Sequence, residues 1–383
     1  MRIIFNELKK TFRPIVLLLI LLVFGILYLA RFEGYAGDFF KTRLGVNFRY
    51  EYSRELVERY GKTLEPEEFN GVIADYNDMC KQLDDYIASN ETFTSNNVYS
   101  YDDYGDFINM DTSAMSQAEL EAHEQADSEM FYLLYSDDFD WLINKINDLE
   151  QIIQFYNEFY SPKTSTILPS NITDLMECEM FGLIFVLLVL CVSLAASPML
   201  VSDNLNGLRP LQYHTRVGRK TLLYQFIATI LSAWIVCAVV LGAIFLLFLP
   251  TGVFDFWDAP LNSFMQGKYW SFFMFDQTLG QRILMLTGSA LLFATGVAMI
   301  IFFMAKISGN YILMLLKVIP VAVATCILGY FAADNAFRML FDPYTGEPLG
   351  RYNMNIITFT VIVFFTGVTL SAFIIRREKK REI

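Results

Sequence analysis

Catalytic and metal-binding patterns are missing from this sequence of 383 residues. It has only 2 His, His123 and His214, and it contains no HExxH, GxSxG or P-loop pattern. Its 5 Cys form no CxxC pair and show no Cys and His spacing typical of a zinc site. An enzyme is therefore disfavoured, and we expect this chain itself to bind no metal, nucleotide or other cofactor.

Basic residues are scarce in one long stretch of the chain, residues 32–179. It holds 31 of the 41 acidic residues but only 9 of the 29 basic ones, a net charge of −22, whereas the rest of the chain is net +10. Short loops rich in Lys and Arg stay in the cytoplasm, while long acidic domains are translocated. The pattern predicts a multi-pass protein of the bacterial plasma membrane with both termini in the cytoplasm and one acidic domain outside. No contiguous basic face of the kind that binds nucleic acid is expected.

Charged residues are almost absent from six apolar runs. A hydrocarbon core of about 30 Å needs about 20 apolar residues in a helix, and backbone in lipid must satisfy its own hydrogen bonds. We therefore predict an all-α polytopic membrane protein with six transmembrane helices, at residues 15–31, 180–201, 221–249, 283–305, 311–332 and 355–375. The first run is followed by Arg31, Phe32 and Glu33 rather than by a small-residue cleavage site, which favours a retained span over a signal peptide.

The segments between the spans are expected to alternate between the two sides. The predicted cytoplasmic segments are an interfacial helix at 1–14, a loop at 202–220, a turn at 306–310 and a basic tail at 376–383. The predicted outer segments are the acidic domain at 32–179, an aromatic loop at 250–282 that suits the headgroup region, and a loop at 333–354. In the interfacial helix, apolar residues at four-residue spacing lie opposite Lys9, Lys10 and Arg13, and Pro14 marks a bend into the membrane.

The acidic domain is predicted to be helical. One helix begins near Pro66, a second begins at the capping box of Ser116 and Glu119, and a third begins at about Asp138. The polar, Asp-rich stretch 90–112 between them is predicted to be a loop.

Two cysteines, Cys80 and Cys178, fall in the predicted outer domain. A disulfide is chemically permitted there, and sequence alone leaves their pairing open. The other three, Cys191, Cys237 and Cys326, fall in apolar spans and are most simply small buried hydrophobes.

The loop between the second and third spans carries the candidate contact with a partner. Gly207 ends one helical piece, Pro210 fits the first turn of another, and Gly218 interrupts it before the third span. A short basic helix of about two turns can dock in a groove on a soluble partner. The alternative, which residue types favour equally, is a basic connector that only fixes topology.

On these residues the loop resembles the ABC-2 family of ATP-binding-cassette transporter permeases. In that family a Gly precedes a Thr and then an Arg that leads into the next span, and Gly207, Thr215 and Arg219 occupy those positions here. The run from Thr215 to Arg219 looks like permeases of Gram-positive bacteria that have a large extracellular domain. The chain departs from the family pattern where it has Asp203 in place of a Glu and Gln225 in place of a basic residue.

The resemblance implies a non-catalytic permease subunit that moves a lipid-like, amphipathic or peptide substrate. The expected partners are a cytoplasmic ATPase dimer holding ATP and magnesium, a second permease subunit, identical or different, and membrane lipids. The implied contacts with the ATPase are Gly207, Leu208, Arg209, Tyr213, His214, Thr215, Arg216, Gly218 and Arg219. The interfacial helix, with Lys9, Lys10 and Arg13, is expected to brace the same contact.

Three other functions stay open at this point. A membrane receptor or sensor would use the outer domain to bind a ligand, although it does not need five further spans. An ATP-independent secondary carrier would need buried carboxylates at mid-membrane, and none is obvious. A polytopic membrane enzyme is disfavoured because no catalytic constellation is visible.

Overall fold

The computed structural model describes most of the chain, namely residues 2–32, 46–113, 115–135, 139–159, 167, 179–205, 220–249, 253–261, 277–333, 339–341 and 348–380. The described residues are predominantly helical, as predicted. The chain forms two compact units. We name them the apolar unit, composed of Met1–Phe40, Ile172–Asp258 and Ser271–Ile383, and the acidic unit, composed of Lys41–Asn171 and Ala259–Trp270.

The helices follow the apolar and polar stretches of the sequence. In chain order they are α1 Arg2–Thr11, α2 Pro14–Leu27, α3 Val46–Tyr60, α4 Pro66–Ser89, α5 Glu91–Thr94, α6 Tyr101–Ile108, α7 Gln117–Leu134, α8 Asp140–Phe159, α9 Glu179–Leu205, α10 Lys220–Phe248, α11 Leu279–Lys306, α12 Tyr311–Ala333 and α13 Asn355–Lys380. A π-helical turn, Tyr28–Phe32, continues α2, and a 3₁₀ turn, Val253–Phe256, follows α10.

Two helix starts in the acidic unit confirm the capping signals in the sequence. Pro66 is the first residue of α4, and the Glu68 carboxylate accepts a hydrogen bond from the backbone N–H of Glu65 at 2.9 Å. At the start of α7, Glu119 accepts from the Ser116 N–H at 2.8 Å, and Ser116 Oγ accepts from the Glu119 N–H at 3.4 Å. Both arrangements satisfy amide groups that a helix terminus leaves without partners.

The prediction of a loop at 90–112 was wrong, because α5 and α6 lie within that stretch. Each has an N-cap that the Asp-rich composition obscured. Asn90 Oδ1 accepts from the Thr92 N–H at 3.0 Å, and Ser100 Oγ accepts from the Asp103 N–H at 3.1 Å. Helix α3 was not predicted either.

The core of the acidic unit lies mainly between α4 and α8, which run antiparallel. The rings of Phe69 and Tyr156 stack with centroids 3.7 Å apart, and those of Tyr86 and Phe139 stack at 3.8 Å. Helices α5, α6 and α7 add side chains to the same cluster, which includes the buried residues Leu83, Ile87, Phe93, Tyr104, Met130, Leu134, Leu142 and Ile143. The amphipathic helices thus enclose one apolar core beneath an acidic surface.

The apolar unit contains four helices that are long and apolar enough to cross a membrane, within α10, α11, α12 and α13. Helices α1 and α2 form a bent pair with an angle of 52°, as Pro14 predicts, and count as a fifth candidate if the pair is one span. The apolar part of α9, Phe181–Ser197, is shorter. Four to five such helices are compatible with a multi-pass membrane protein.

Helix α11 begins earlier than the sequence predicted. Thr278 caps it by accepting from the Gln281 N–H at 3.3 Å, so the helix starts at Leu279 rather than at residue 283. Arg282, which the prediction placed in the outer loop, therefore lies in the first turn of the helix and is only 1% exposed.

The helices of the apolar unit approach one another at small residues. A Cβ added to Gly296 of α11 would lie 2.9 Å from the Phe364 backbone of α13, and Ser371 Oγ donates to the Met299 carbonyl at 3.1 Å. These contacts show that α11 and α13 run parallel in close contact. Helix α9 runs antiparallel to α12, since Gly182 packs against Tyr330 while Val186 lies beside Cys326. Close approach at small residues is typical of helix packing in membranes.

The segment between α12 and α13 forms a short hairpin, an exception to the predicted all-α fold. Strand β1, Met339–Phe341, pairs antiparallel with β2, Pro348–Tyr352, and Met339 lies opposite Tyr352. Strands this short carry too little alternation to be recognised in the sequence.

Candidate functional site at the basic end of the apolar unit

The predicted contact with an ATPase lies between two helices whose facing ends are described. Helix α9 ends at Leu205 and α10 begins at Lys220. All nine predicted contact residues fall outside the described residues: Gly207, Leu208, Arg209, Tyr213, His214, Thr215, Arg216, Gly218 and Arg219. The structure therefore describes only the helices before and after this segment, α9 and α10.

Polar contacts connect the start of α10, the end of α11 and the start of α12. Lys306 Nζ at the end of α11 donates to Gln225 Oε1 in the second turn of α10, at 2.6 Å. Lys317 Nζ of α12 reaches back to the carbonyl of Ile307 at 3.2 Å and to Ser308 Oγ at 3.3 Å. The long side chain of Lys317 thus extends toward the N-terminal end of its own helix and contacts the short turn that precedes it.

The last turns of α9 and α13 lie at the same end. Helix α9 runs antiparallel to α12, and α13 runs parallel to α11, so both end where α12 begins and α11 finishes. This placement gathers lysines and arginines from four helices, α10, α11, α12 and α13. We name this region the basic end, and define it by Lys220, Lys306, Lys317, Arg376, Arg377 and Lys380.

Helix α1 packs against α10 and α9, the two helices that flank the undescribed segment. Its Glu7 is 5% exposed and accepts a hydrogen bond from Lys10 Nζ at 2.8 Å. Lys9 lies over the ring of Phe5, with its Nζ 5.1 Å from the centroid, and Arg13 is the extended residue before α2. A helix forms here as predicted, and its contacts with α9 and α10 hold it in place.

The pair formed by Lys306 and Gln225 is the part of this region that sequence reasoning missed. Lys306 is 7% exposed and Gln225 is 2% exposed, and the ammonium also lies 5.7 Å from the centroid of Phe302. A buried charge requires such partners, since transfer out of water without them is costly. The signals available in the sequence were Gln225, a polar residue early in the apolar helix α10, and Lys306, a basic residue at the end of α11. Nothing in the sequence indicated that these two residues are in contact.

No metal-binding cluster occurs in the described parts of the chain. No three His, Cys, Asp or Glu side chains there are placed to hold one metal ion. His123 lies in the acidic unit, where its ring is 4.3 Å from that of Phe107. Cys80 is a free thiol, and Cys178 lies outside the described residues.

The chain was compared with models of protein families, with curated proteins and with solved structures, and none of these comparisons finds a match.

Proposed function

We propose that this chain is the permease subunit of an ATP-binding-cassette transporter, with six membrane spans and both termini in the cytoplasm. The acidic unit would then lie outside the bacterial plasma membrane. Of the six spans, the first would be α2 with its π-helical continuation, after the bend at Pro14. The second would be α9, 27 residues long, which would cross the membrane in spite of its shorter apolar core.

The observation that carries the proposal is where α9 ends and α10 begins, before and after the segment 206–219 in the sequence. Its flanking helices end among the basic residues of the basic end, and α1 packs on both of those helices. Lysines and arginines at one end of a bundle mark the cytoplasmic side, where a soluble ATPase is available. The resemblance of Gly207, Thr215 and Arg219 to the family motif lies within this segment.

The contacts at the basic end suggest how a movement of the segment 206–219 would be transmitted to the apolar helices. Helix α10 begins directly after Arg219, and its Gln225 is hydrogen-bonded to Lys306 of α11. Helix α11 is in turn in backbone contact with α13 at Gly296. Closure of an ATPase dimer on the segment would therefore displace α10, α11 and α13 together, provided that the ATPase distinguishes two states of the bundle.

The chemistry of energy use is assigned to the partner. ATP and magnesium would be held by the ATPase dimer, and the pathway would form between this chain and a second permease subunit, identical or different. The substrate class that suits an apolar bundle is a lipid-like, amphipathic or peptide molecule that moves across or out of the bilayer.

A secondary carrier is less well supported. The apolar helices α10, α11 and α12 contain no Asp or Glu, and the single carboxylate of α13, Glu378, is near its end. Coupling to a proton or sodium gradient usually depends on carboxylates inside the membrane. ATP hydrolysis by a separate subunit fits this composition better than coupling to an ion gradient.

Affinity purification of the tagged chain from its own cells tests the proposal. We expect a protein with a P-loop sequence to co-purify and to hydrolyse ATP faster in the complex than alone. Arg219→Glu should reduce both co-purification and stimulated hydrolysis by about tenfold or more, because it reverses the charge of a residue that the proposal places in contact with the ATPase. Membrane insertion should not change.

Arg351→Glu is the matched control, since Arg351 is exposed on strand β2, away from the basic end. It should leave ATP hydrolysis unchanged. Transport by the purified chain with no P-loop partner present would contradict the assignment, and so would full stimulation of hydrolysis in the Arg219→Glu variant.

A further inference from the structure

The acidic unit contains a cavity of about 310 Å³. It lies where the middle of α4, the middle of α8 and the first turn of α6 meet, at the edge of the apolar core. Pockets that bind small molecules typically have volumes of roughly 300–1,000 Å³. The cavity is therefore large enough for a small ligand or for one long side chain of a larger one.

The walls of the cavity combine carboxylates with aromatic rings. Asp84 of α4, Asp102 of α6 and Glu150 of α8 contribute three acidic groups, and Tyr76 and Tyr101 contribute two phenol rings. The backbone N–H of Tyr101 donates to Asp84 Oδ1 at 2.8 Å, which fixes α6 against α4 at the mouth of the cavity. None of the described residues that line it is Lys, Arg or His.

Lys81 and Lys145 are close in sequence to the lining residues, but neither forms part of the cavity wall. Lys145 of α8 is bonded to Glu55 at 3.2 Å, and its Nζ lies 4.6 Å from the centroid of Tyr52. Lys81 of α4 is exposed and does not line the cavity. Among the described residues, the cavity is therefore a partly enclosed space lined by three carboxylates and by no basic side chain.

Titration of the lining groups agrees with this negative field. Burial first, then a hydrogen bond with Cys80 and the charges of Cys80, Glu150 and Asp102, raise the pKa of Tyr76 to about 12. Burial is also the largest cause of the raised pKa of the Cys80 thiol, and Asp84, Asp102 and Glu150 contribute to it. Burial disfavours a charge of either sign, whereas the contributions of the neighbouring carboxylates reflect a negative field, and only that field favours a cation in the adjoining space.

The aromatic walls and the spacing of the carboxylates indicate what kind of cation fits. Across the described residues, no set of carboxylate, thiol or imidazole groups is close enough to ligate a metal ion. Aromatic faces attract ammonium and guanidinium groups, and carboxylates accept their hydrogen bonds. An organic cation uses both kinds of wall, whereas a bare metal ion uses only the oxygens.

We propose that this cavity binds an organic cation, a primary ammonium or guanidinium group carried by a polyamine or by a basic peptide side chain. Asp102 and Glu150 would pair with the charge, and Tyr76 and Tyr101 would enclose the aliphatic chain. Binding of this kind requires neither an ATPase nor transport, so it can hold or fail independently of the permease function.

Cys80 is a native reporter of the cavity, because its half-buried thiol lies in the wall. The full-length chain in detergent would be treated with a cationic reagent, 2-(trimethylammonium)ethyl methanethiosulfonate, or with the anionic sulfonatoethyl analogue. Modification of the peptide containing Cys80 would be followed by mass spectrometry, and each rate would be divided by the rate of the same reagent with a neutral free thiol. This ratio cancels the raised pKa of Cys80, because both reagents attack the same thiolate.

We expect the cationic reagent to react at least about tenfold faster than the anionic one, since opposite charges are attracted and like charges repelled in the same field. Asp102→Asn and Glu150→Gln should each lower this preference severalfold. Both side chains are exposed at the rim, so these variants should fold. Glu67→Gln and Glu121→Gln remove carboxylates that do not line the cavity, and they should leave the preference for the cationic reagent unchanged.

A second thiol separates the cavity from the general field of the acidic unit. Ser128→Cys places a thiol on an exposed and equally acidic part of α7, next to Asp127 and Glu129. Its preference for the cationic reagent should be much weaker than that of Cys80. Equal preferences at the two positions would overturn the proposal.

Protection experiments identify the source of the cation. Spermidine and a trilysine peptide would be added at millimolar concentration before the cationic reagent. Protection by spermidine alone assigns the site to free polyamines, protection by trilysine alone assigns it to peptides, and protection by both supports the shared ammonium chemistry. Protection by neither would contradict binding of an organic cation.

Discussion

The acidic unit and the apolar unit bury side chains in opposite ways. In the acidic unit many large apolar residues form a core, in which Phe93 and Met130 are fully buried. In the apolar unit many are outside, with Leu21 70% exposed and Ile312 69% exposed. Exposed apolar surface on several long helices suits lipid rather than water. The comparison indicates that the hydrophobic effect assembles the acidic unit, whereas close packing assembles the apolar unit.

Buried polar groups also differ between the two units. In the acidic unit, tyrosine hydroxyls donate to carboxylates, as Tyr60 does to Asp75 at 2.5 Å and Tyr104 to Asp127 at 3.1 Å. In the apolar unit, hydroxyls donate mostly to backbone carbonyls, as Thr295 does to Leu291 at 2.7 Å. Carbonyl partners within the helix avoid placing a charge in an apolar surrounding.

The largest expected effect comes from opening a cavity in the acidic unit. Phe93→Ala removes a ring that is fully buried and lies 6.3 Å, centroid to centroid, from the ring of Tyr104. We expect the free energy of unfolding of this unit to fall by about 3–5 kcal/mol. Chemical denaturation followed by circular dichroism would measure it.

Tyr132→Ala is the control for this cavity, because Tyr132 is 73% exposed in the same unit. Its effect should stay within about 0.5 kcal/mol. Similar losses in the two variants would mean that burial of Phe93 does not stabilise the unit.

The apolar unit should be destabilised by the addition of a methyl group at Gly296, where two helices are in close contact. In Gly296→Ala the new Cβ would lie 2.9 Å from the backbone of Phe364. Because backbone cannot move aside cheaply, we expect a loss of about 1–3 kcal/mol, seen as a lower unfolding temperature in detergent.

Gly288→Ala lies on the same helix and tests whether the contact, and not the residue type, is responsible. No atom lies within 4 Å of the added Cβ at this position. Alanine is the better helix former by up to about 1 kcal/mol, so this variant should be unchanged or slightly more stable. If both variants were equally stable, close contact between α11 and α13 would not hold the unit together.

A smaller effect is expected from alkaline pH, and it should concern the acidic unit. Burial is the main cause that raises the pKa of Tyr60 and of Tyr76 from the usual 10.0 to about 12. Between these two values the unfolded chain loses the phenol protons while the folded unit keeps them, so stability falls as the pH rises from about 10 to about 12. Tyrosinate absorbance and circular dichroism during an alkaline titration would follow the two events together.

Tyr76→Phe should reduce the slope of stability against pH in this range by up to one proton. A slope that Tyr76→Phe leaves unaltered would show that the phenol ionises equally readily in the folded and unfolded chain.

The two units also differ in how far the sequence predicts them. In the acidic unit, the caps at Pro66 and Ser116 correctly placed α4 and α7, while the caps at Asn90 and Ser100 were overlooked among aspartates. Local signals of this kind suffice for helix starts, because a cap acts within one turn. The packing of α4 on α8 follows from their apolar faces.

In the apolar unit, composition predicts the helices but not their contacts. Helices that are apolar on all sides carry no periodicity that marks the packed face. The contact at Gly296 and the pair formed by Gln225 and Lys306 join residues far apart in sequence, and nothing local distinguishes them. The buried Arg282 was missed for a different reason, since a capping box at Thr278 extended α11 beyond its apolar run.

The most direct test of the whole account is the sidedness of the segment 206–219 relative to the acidic unit. Single cysteines at Tyr213 and at Ser128 would be labelled with a membrane-impermeant maleimide in intact cells and in inside-out vesicles. The account predicts that Ser128→Cys is labelled from outside the cell and Tyr213→Cys only from the cytoplasmic face. Labelling of Tyr213→Cys in intact cells would contradict it, because an ATPase could not then reach the segment.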